Sequence, residues 1–161
     1  MKKTYLLFLA LPLLFLACRK DAKSGLKETD LLPYGIPVTI LAPDSAQVKG
    51  QDLAGVYRDV TIKGKGNYSV QVLASTAEDS NLPRIKAEQL ADVKANRYFQ
   101  RIVREEEDGF LFETALDSTY TNYGFRYIVL QGDLEIIFQT GMVGQFTLQE
   151  AESMYEAVQQ R

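Results

Sequence analysis

Four consecutive acids, Glu105-Glu106-Glu107-Asp108, form the densest charge in this 161-residue chain and are the first place to look for acid–base chemistry. Paired carboxylates cleave glycosidic bonds when burial keeps one protonated and the two stand at a fixed separation. Neighbouring side chains on a strand point to opposite faces, and Asp108-Gly109 lies between two apolar runs. The acids are therefore predicted to form a solvated hairpin tip that keeps a sheet edge soluble. Carboxylate and carbonyl oxygens could also hold calcium here, or at Asp117 with Asn122, yet neither stretch has the spacing of a calcium loop. Gly64-Lys65-Gly66-Asn67-Tyr68-Ser69 has the glycines and lysine of a phosphate loop without its frame or its Gly-Lys-Ser/Thr ending, and is predicted to be a hairpin turn. The chain contains no histidine. That absence excludes Ser-His-Asp and Cys-His catalysis and most zinc sites, so no catalytic residue, metal ligand or cofactor is assigned.

Rings offer more than charges. Tyr123, Phe125 and Tyr127 alternate along one aromatic arm that also includes Tyr120, and rings on one face stack on sugars or line an apolar pocket. Strand periodicity accounts equally well for Phe125 and Tyr127 as core residues beneath the last helix. The candidate ligand or partner face is Tyr123, Phe125 and Tyr127, joined by Met142 of the glycine-flanked Gly141-Met142-Val143-Gly144.

The single cysteine, Cys18, stands where an apolar run turns polar. Met1-Lys2-Lys3 precede a stretch that is apolar from Tyr5 to Cys18, about 14 residues, and Arg19-Lys20-Asp21 follow it. This is the order of a secretory signal, and it falls short of the roughly 20 residues a helix needs to cross a bilayer. Ordinary signal cleavage wants small residues one and three places before the cut; Ala17 qualifies and Phe15 does not. Phe15-Leu16-Ala17-Cys18 resembles instead the lipobox of bacterial lipoproteins. That resemblance implies diacylglycerol on the Cys18 sulfur, cleavage after residue 17, and a fatty acyl chain such as palmitate on the new amine. In such proteins an aspartate after the cysteine often retains them in the inner membrane, so Arg19 implies the outer one. Arg19-Lys20-Asp21-Ala22-Lys23 also resembles the charged tags that send some lipoproteins to the cell surface.

The expected organisation follows: residues 1–17 as signal peptide, 18–34 as a lipidated flexible tether rich in Lys, Asp, Ser, Gly and Glu, and 35–161 as one domain large enough for a sizeable core. The formal charge of −3 becomes two units more negative when Lys2 and Lys3 leave with the signal, and a nucleic-acid binder is usually basic. With Cys18 acylated no thiol remains for a disulfide, so packing alone must hold the domain.

Ile36 to Leu41 is short and β-branched, a first strand closed by Pro43-Asp44. Val56 to Ser75 gives two alternating runs about the Gly64–Asn67 turn, with Tyr68, Val70, Val72 and Ala74 on one face and Ser69, Gln71 and Leu73 on the other, one of which should be buried. Pro83 suits a first helical turn, and Ala87, Ala91 and Ala95 form a thin stripe that would let this helix lie close on a sheet. Strands are predicted from about Tyr98 onward. Gly132-Asp133 turns a further hairpin, whose second arm carries Leu134, Ile136 and Phe138. Thr147 and Glu150 stand at capping-box spacing before a helix striped by Leu148, Ala151, Tyr155 and Val158. The fold class is α+β: an antiparallel sheet of about six or seven strands packed with two helices. Its element order over roughly 36–158 resembles the PsbP/Mog1 group, a fold-level likeness that transfers no function. The expected function is a lipid-anchored envelope protein with a non-catalytic domain for an envelope partner or small ligand. The alternative is a small carboxylate-dependent hydrolase of an envelope polymer.

Overall fold

Runs with apolar side chains at alternate positions, separated by turns rich in glycine and asparagine, build nine strands in the computed structural model, which describes residues 25–160 except 116 and 118. The signal segment and Cys18 lie outside the described residues. The order is β1 (Leu26–Asp30), the 3-10 turn η1 (Leu32–Tyr34), β2 (Thr39–Pro43), β3 (Gln47–Leu53), β4 (Tyr57–Lys63), β5 (Ser69–Thr76), α1 (Leu82–Ala95), β6 (Phe99–Glu105), β7 (Gly109–Ala115), β8 (Thr121–Gln131), β9 (Leu134–Thr140) and α2 (Leu148–Val158). Seven strands form one antiparallel sheet in the order β3-β4-β5-β9-β8-β7-β6, and β1 pairs with β2 in a separate two-stranded sheet. This is the α+β class read from the sequence.

The sheet divides two unequal apolar layers. On one face α2 and the β1–β2 pair close over Val60, Ile62, Val70, Val72, Phe125, Tyr127, Ile136 and Phe138, the main core. On the other face α1 covers only β6 to β8, where Ile85, Val93, Phe110 and Ile128 are buried.

Three expectations about boundaries and faces are corrected. Residues 26–34, expected in the tether, are ordered: β1 pairs with β2, and Leu31 is fully buried with its N–H donating to Val38 O at 3.0 Å. Lys27, Glu28 and Asp30 disguise the strand because only one of its faces meets the core. The alanine stripe of α1 faces outward, with Ala87, Ala91 and Ala95 all exposed. Ile85 and Val93, eight residues apart, mark the inward face, because burying large aliphatic side chains contributes more than close approach of small ones. The strand expected to open the fold at Ile36 is the second, β2, and begins at Thr39.

Helix α2 starts where the capping signal placed it. Thr147 Oγ1 accepts from Glu150 N at 3.3 Å, and the Glu150 carboxylate accepts from Thr147 N at 2.8 Å. Burial acts against ionisation of Glu150, but the hydrogen bonds from Thr147 and Asn67 outweigh it and hold its acidity below the usual carboxylate range. A depressed carboxylate contributes stability above its unfolded pKa and loses it as pH falls through the folded value. Thr147→Ala is thus expected to cost about 1 kcal/mol at neutral pH. The difference from wild type should narrow below about pH 4 as Glu150 protonates, measured by urea denaturation across pH.

Candidate functional site

An antiparallel sheet can leave part of one face to water, and here α1 stops short of β3, β4 and β5. Alternation then lines up a polar row across five strands. Lys49 pairs with Thr61, Thr61 with Gln71, Gln71 with Gln139 and Gln139 with Arg126. A shallow cleft of about 290 Å³ lies over the β3–β4 end of this row, lined by Gln47, Lys49, Gln51, Asp59, Thr61 and Lys63.

The floor of the cleft is fixed from beneath. Gln71 is only 5 % exposed, although it belongs to the polar phase of β5. Its Nε2 donates to both Asp59 oxygens, at 3.0 and 2.9 Å, and its Oε1 accepts from Gln139 Nε2 at 2.7 Å. A fully engaged amide of this kind costs little to bury and locks the rotamers of its neighbours. Burial, and then the Asp59 charge, push the Tyr57 phenol on the same face up from its usual value. The row ends under α1 at Arg126. Its Nη1 donates to Phe125 O at 3.3 Å, its guanidinium lies 5.8 Å from the Phe112 ring centre, and its buried Nε has no hydrogen-bond partner. Burial lowers the Arg126 pKa against the opposing pull of Asp92.

The edges of the sheet differ. β6 meets β7 with two breaks in register, between Phe99 and Arg101 and between Ile102 and Arg104. β3 meets β4 in seven consecutive pairs without a break and, among the described residues, has no strand on its other side. Tyr34 closes over Gly50 at this edge, and its hydroxyl donates to Val48 O at 3.4 Å.

The sequence-selected residues fall in separate places. Phe125 is fully buried and Tyr127 is 3 % exposed, both stacked edge-on to Tyr155 of α2 at 5.7 and 5.9 Å between ring centres. Tyr123 is half-buried against the same core. These three rings therefore present no open aromatic face: α2 occupies it. Met142 is 84 % exposed and stands apart from them in the loop after β9.

The acids at 105–108 do not converge. Glu105 pairs with Lys86 at 3.1 Å, Glu107 is exposed, and Glu106 lies 3.3 Å from Arg104 Nε while accepting from Tyr155 Oη and Gln159 Nε2, each at 3.1 Å. Glu106 thus fastens the hairpin to α2. Burial, followed by the Glu106 charge, raises the Tyr155 phenol well above the ordinary tyrosine range, so it stays a donor at all ordinary pH. Elsewhere Glu135 is displaced upward, first by burial and then by Glu88, with Arg84 opposing. Among the described residues no group of acids, histidines or cysteines is arranged to hold a metal ion. No described helix is long and apolar enough to cross a membrane.

Gln71, Gln139 and Asp59 were not singled out from the sequence. Their only signal was an outward strand phase, which is the same for a buried network and for a solvated face. No family model, curated protein or solved structure matches this chain.

Proposed function

We propose that this chain is a lipid-anchored protein of the bacterial outer membrane whose folded domain binds an envelope protein partner without catalysis, along β3 and the adjoining polar half of the sheet. The observation that carries this reading is the unbroken edge of β3, unpaired by any described strand and touched only at Val48 and Gly50 by Tyr34, beside a face whose floor is already locked by Gln71. A regular edge strand is a template for another extended chain. Proteins that do not use such an edge blunt it with bulges, prolines or inward charges, as the register breaks do at β6. Lys49, Gln51, Asp59 and Thr61 would supply side-chain hydrogen bonds to alternate residues of the added strand. The lipobox supports the anchor, and the likeness to the PsbP/Mog1 group stays a matter of element order.

The test is site-specific photo-crosslinking in living cells. A photoreactive amino acid at Lys49, Gln51 or Thr61 is expected to give a discrete adduct, while one at Ala87, on the outer side of α1, gives none. Gln71→Leu should weaken the adduct at Lys49 by freeing Asp59. Equal labelling at Lys49 and Ala87, or no adduct at any of the three positions, would remove the β3 face from consideration.

A further inference from the structure

Among the described residues six large apolar side chains are exposed, and hydrogen bonds sort them to opposite ends of the sheet. Leu53 and Val56 form the tip of the β3–β4 hairpin, and Leu32 belongs to the η1 turn that packs on β3. Met142 and Val143, 84 % and 78 % exposed, lie at the other end of β4 and β5. There Gly141 N donates to Ser69 O at 2.8 Å, and Asn67 Nδ2 donates to Gln145 O at 2.8 Å. Tyr120, 43 % exposed, stands on the neighbouring turn, whose Thr121 O accepts from Gln145 Nε2 at 3.0 Å. The seven residues of β4 separate the two ends by about 20 Å.

The chain also enters the fold at the Met142 end. Leu26, the first residue of β1, shares a cavity with Lys65, Gly66, Asn67 and Tyr68, in and beside the turn that holds the 141–145 loop. Arg19 to Gly25 separate Cys18 from β1, and seven residues span at most about 25 Å. An acyl-bearing Cys18 would therefore hold this end of the domain toward the bilayer and leave the β3–β4 tip pointing away.

The loop itself is built to present its apolar pair. Phe146 is buried and fixes one stem, and the Gly141–Ser69 bond fixes the other. A side chain at Gly141 would meet Ser69 Oγ at 2.1 Å, so this stem lies directly on β5. Between these stems Met142 and Val143 stand in water. Charges of both signs stand at this end. Lys63 and Lys65 have no ion pair among the described residues, Asp44 is paired to Lys27 at 2.6 Å, and the exposed Asp117 carboxylate accepts from Thr119 and Tyr120 of its own loop.

We propose that Met142 and Val143, with Tyr120 beside them, insert into the headgroup region of the bilayer that carries the acylated Cys18, making a second membrane contact that fixes the orientation of the domain. One acyl-bearing residue does not by itself fix how a domain sits on a membrane, and a second apolar contact does. Tyrosine suits the boundary, with an apolar ring and a polar tip. The β3 edge and its distal tip would then be held out toward other envelope components.

This inference rests on the lipid-anchor reading, and the experiment separates the two. The full chain is produced with its own leader, purified from membranes, and reconstituted into vesicles of phosphatidylethanolamine and phosphatidylglycerol. Met142→Cys and, as the distal control, Val56→Cys each carry an environment-sensitive fluorophore. The label at 142 is expected to shift to the blue and to be quenched by spin-labelled lipid, and the label at 56 to behave as in water. A water-like signal at 142 on acylated, vesicle-bound protein overturns the inference, leaves the anchor standing and assigns the loop to a protein partner. The mass of the mature chain reports acylation independently. If no acyl chains are found, the same label in a Cys18→Ser background, mixed with preformed vesicles, decides the loop alone: a blue shift upholds insertion and its absence overturns it.

Discussion

Behind a leader cut at an ordinary A-x-A site, replacing Cys18 by alanine is expected to abolish incorporation of a fatty-acid analogue and to move the protein from the membrane fraction to the soluble one. With its own leader left uncleaved, the apolar segment would keep the variant in the membrane. The size of the effect follows from chain chemistry. Each buried methylene contributes about 0.8 kcal/mol, one chain alone holds only marginally, and two or three on one residue anchor stably. Removing the sulfur removes the diacylglycerol and, with it, the cleavage that exposes the amine for a further chain. Cys18 lies outside the described domain, whose thermal unfolding should be unchanged. Loss of anchoring with an unaltered melt would therefore separate address from fold. Retained label in Cys18→Ala, or a mature mass beginning elsewhere than residue 18, would defeat the lipoprotein reading. If only the surface contact of Met142 and Val143 held the protein, Cys18→Ala would stay with the membrane and Met142→Ser would release it.

Phe125→Ala is expected to destabilise the domain by about 3–5 kcal/mol, a large part of the roughly 5–15 kcal/mol that holds a domain together. Phe125 is fully buried and stacks edge-on against Tyr155, while Tyr127 stacks on Tyr155 from its other neighbours. The cavity left at 125 could not collapse easily. Leu111 stands opposite on β7, and the Tyr155 hydroxyl is fixed by Glu106. Tyr123→Ala, at a half-buried position on the same face, should cost only about 1 kcal/mol. Urea denaturation with an unchanged slope would measure both. A loss below 1 kcal/mol at Phe125 would mean the ring is a surface contact residue after all, and the aromatic-face reading would return.

Gly109 shows how one residue can be legible locally and opaque globally. Asp108-Gly109 between two apolar runs announced a hairpin, and β6 and β7 flank it. The need for glycine there has another source as well: a side chain would lie 2.6 Å from Arg126 O and 2.7 Å from Tyr155 Oη. These atoms belong to β8 and α2, elements no local window contains. Glu106 divides in the same way. Its place in a charged tip was plain, while its role as acceptor for Tyr155 and Gln159 depends on α2 folding back across the sheet.

The sequence by itself determined the features that depend on near neighbours: the hairpins, the capped start of α2, the α+β class, and the exclusion of histidine chemistry. Period, turn residues and caps act over a few residues and are written in order along the chain. Tertiary structure alone decided which faces are covered. It put the alanine stripe of α1 outward, took Phe125 and Tyr127 into the core, drew residues 26–30 into a strand, and buried Gln71 while leaving Met142 in water. Each of these depends on what another element brings to the same surface from far along the chain, and alternation along one strand shows that two faces exist without showing which of them finds a partner.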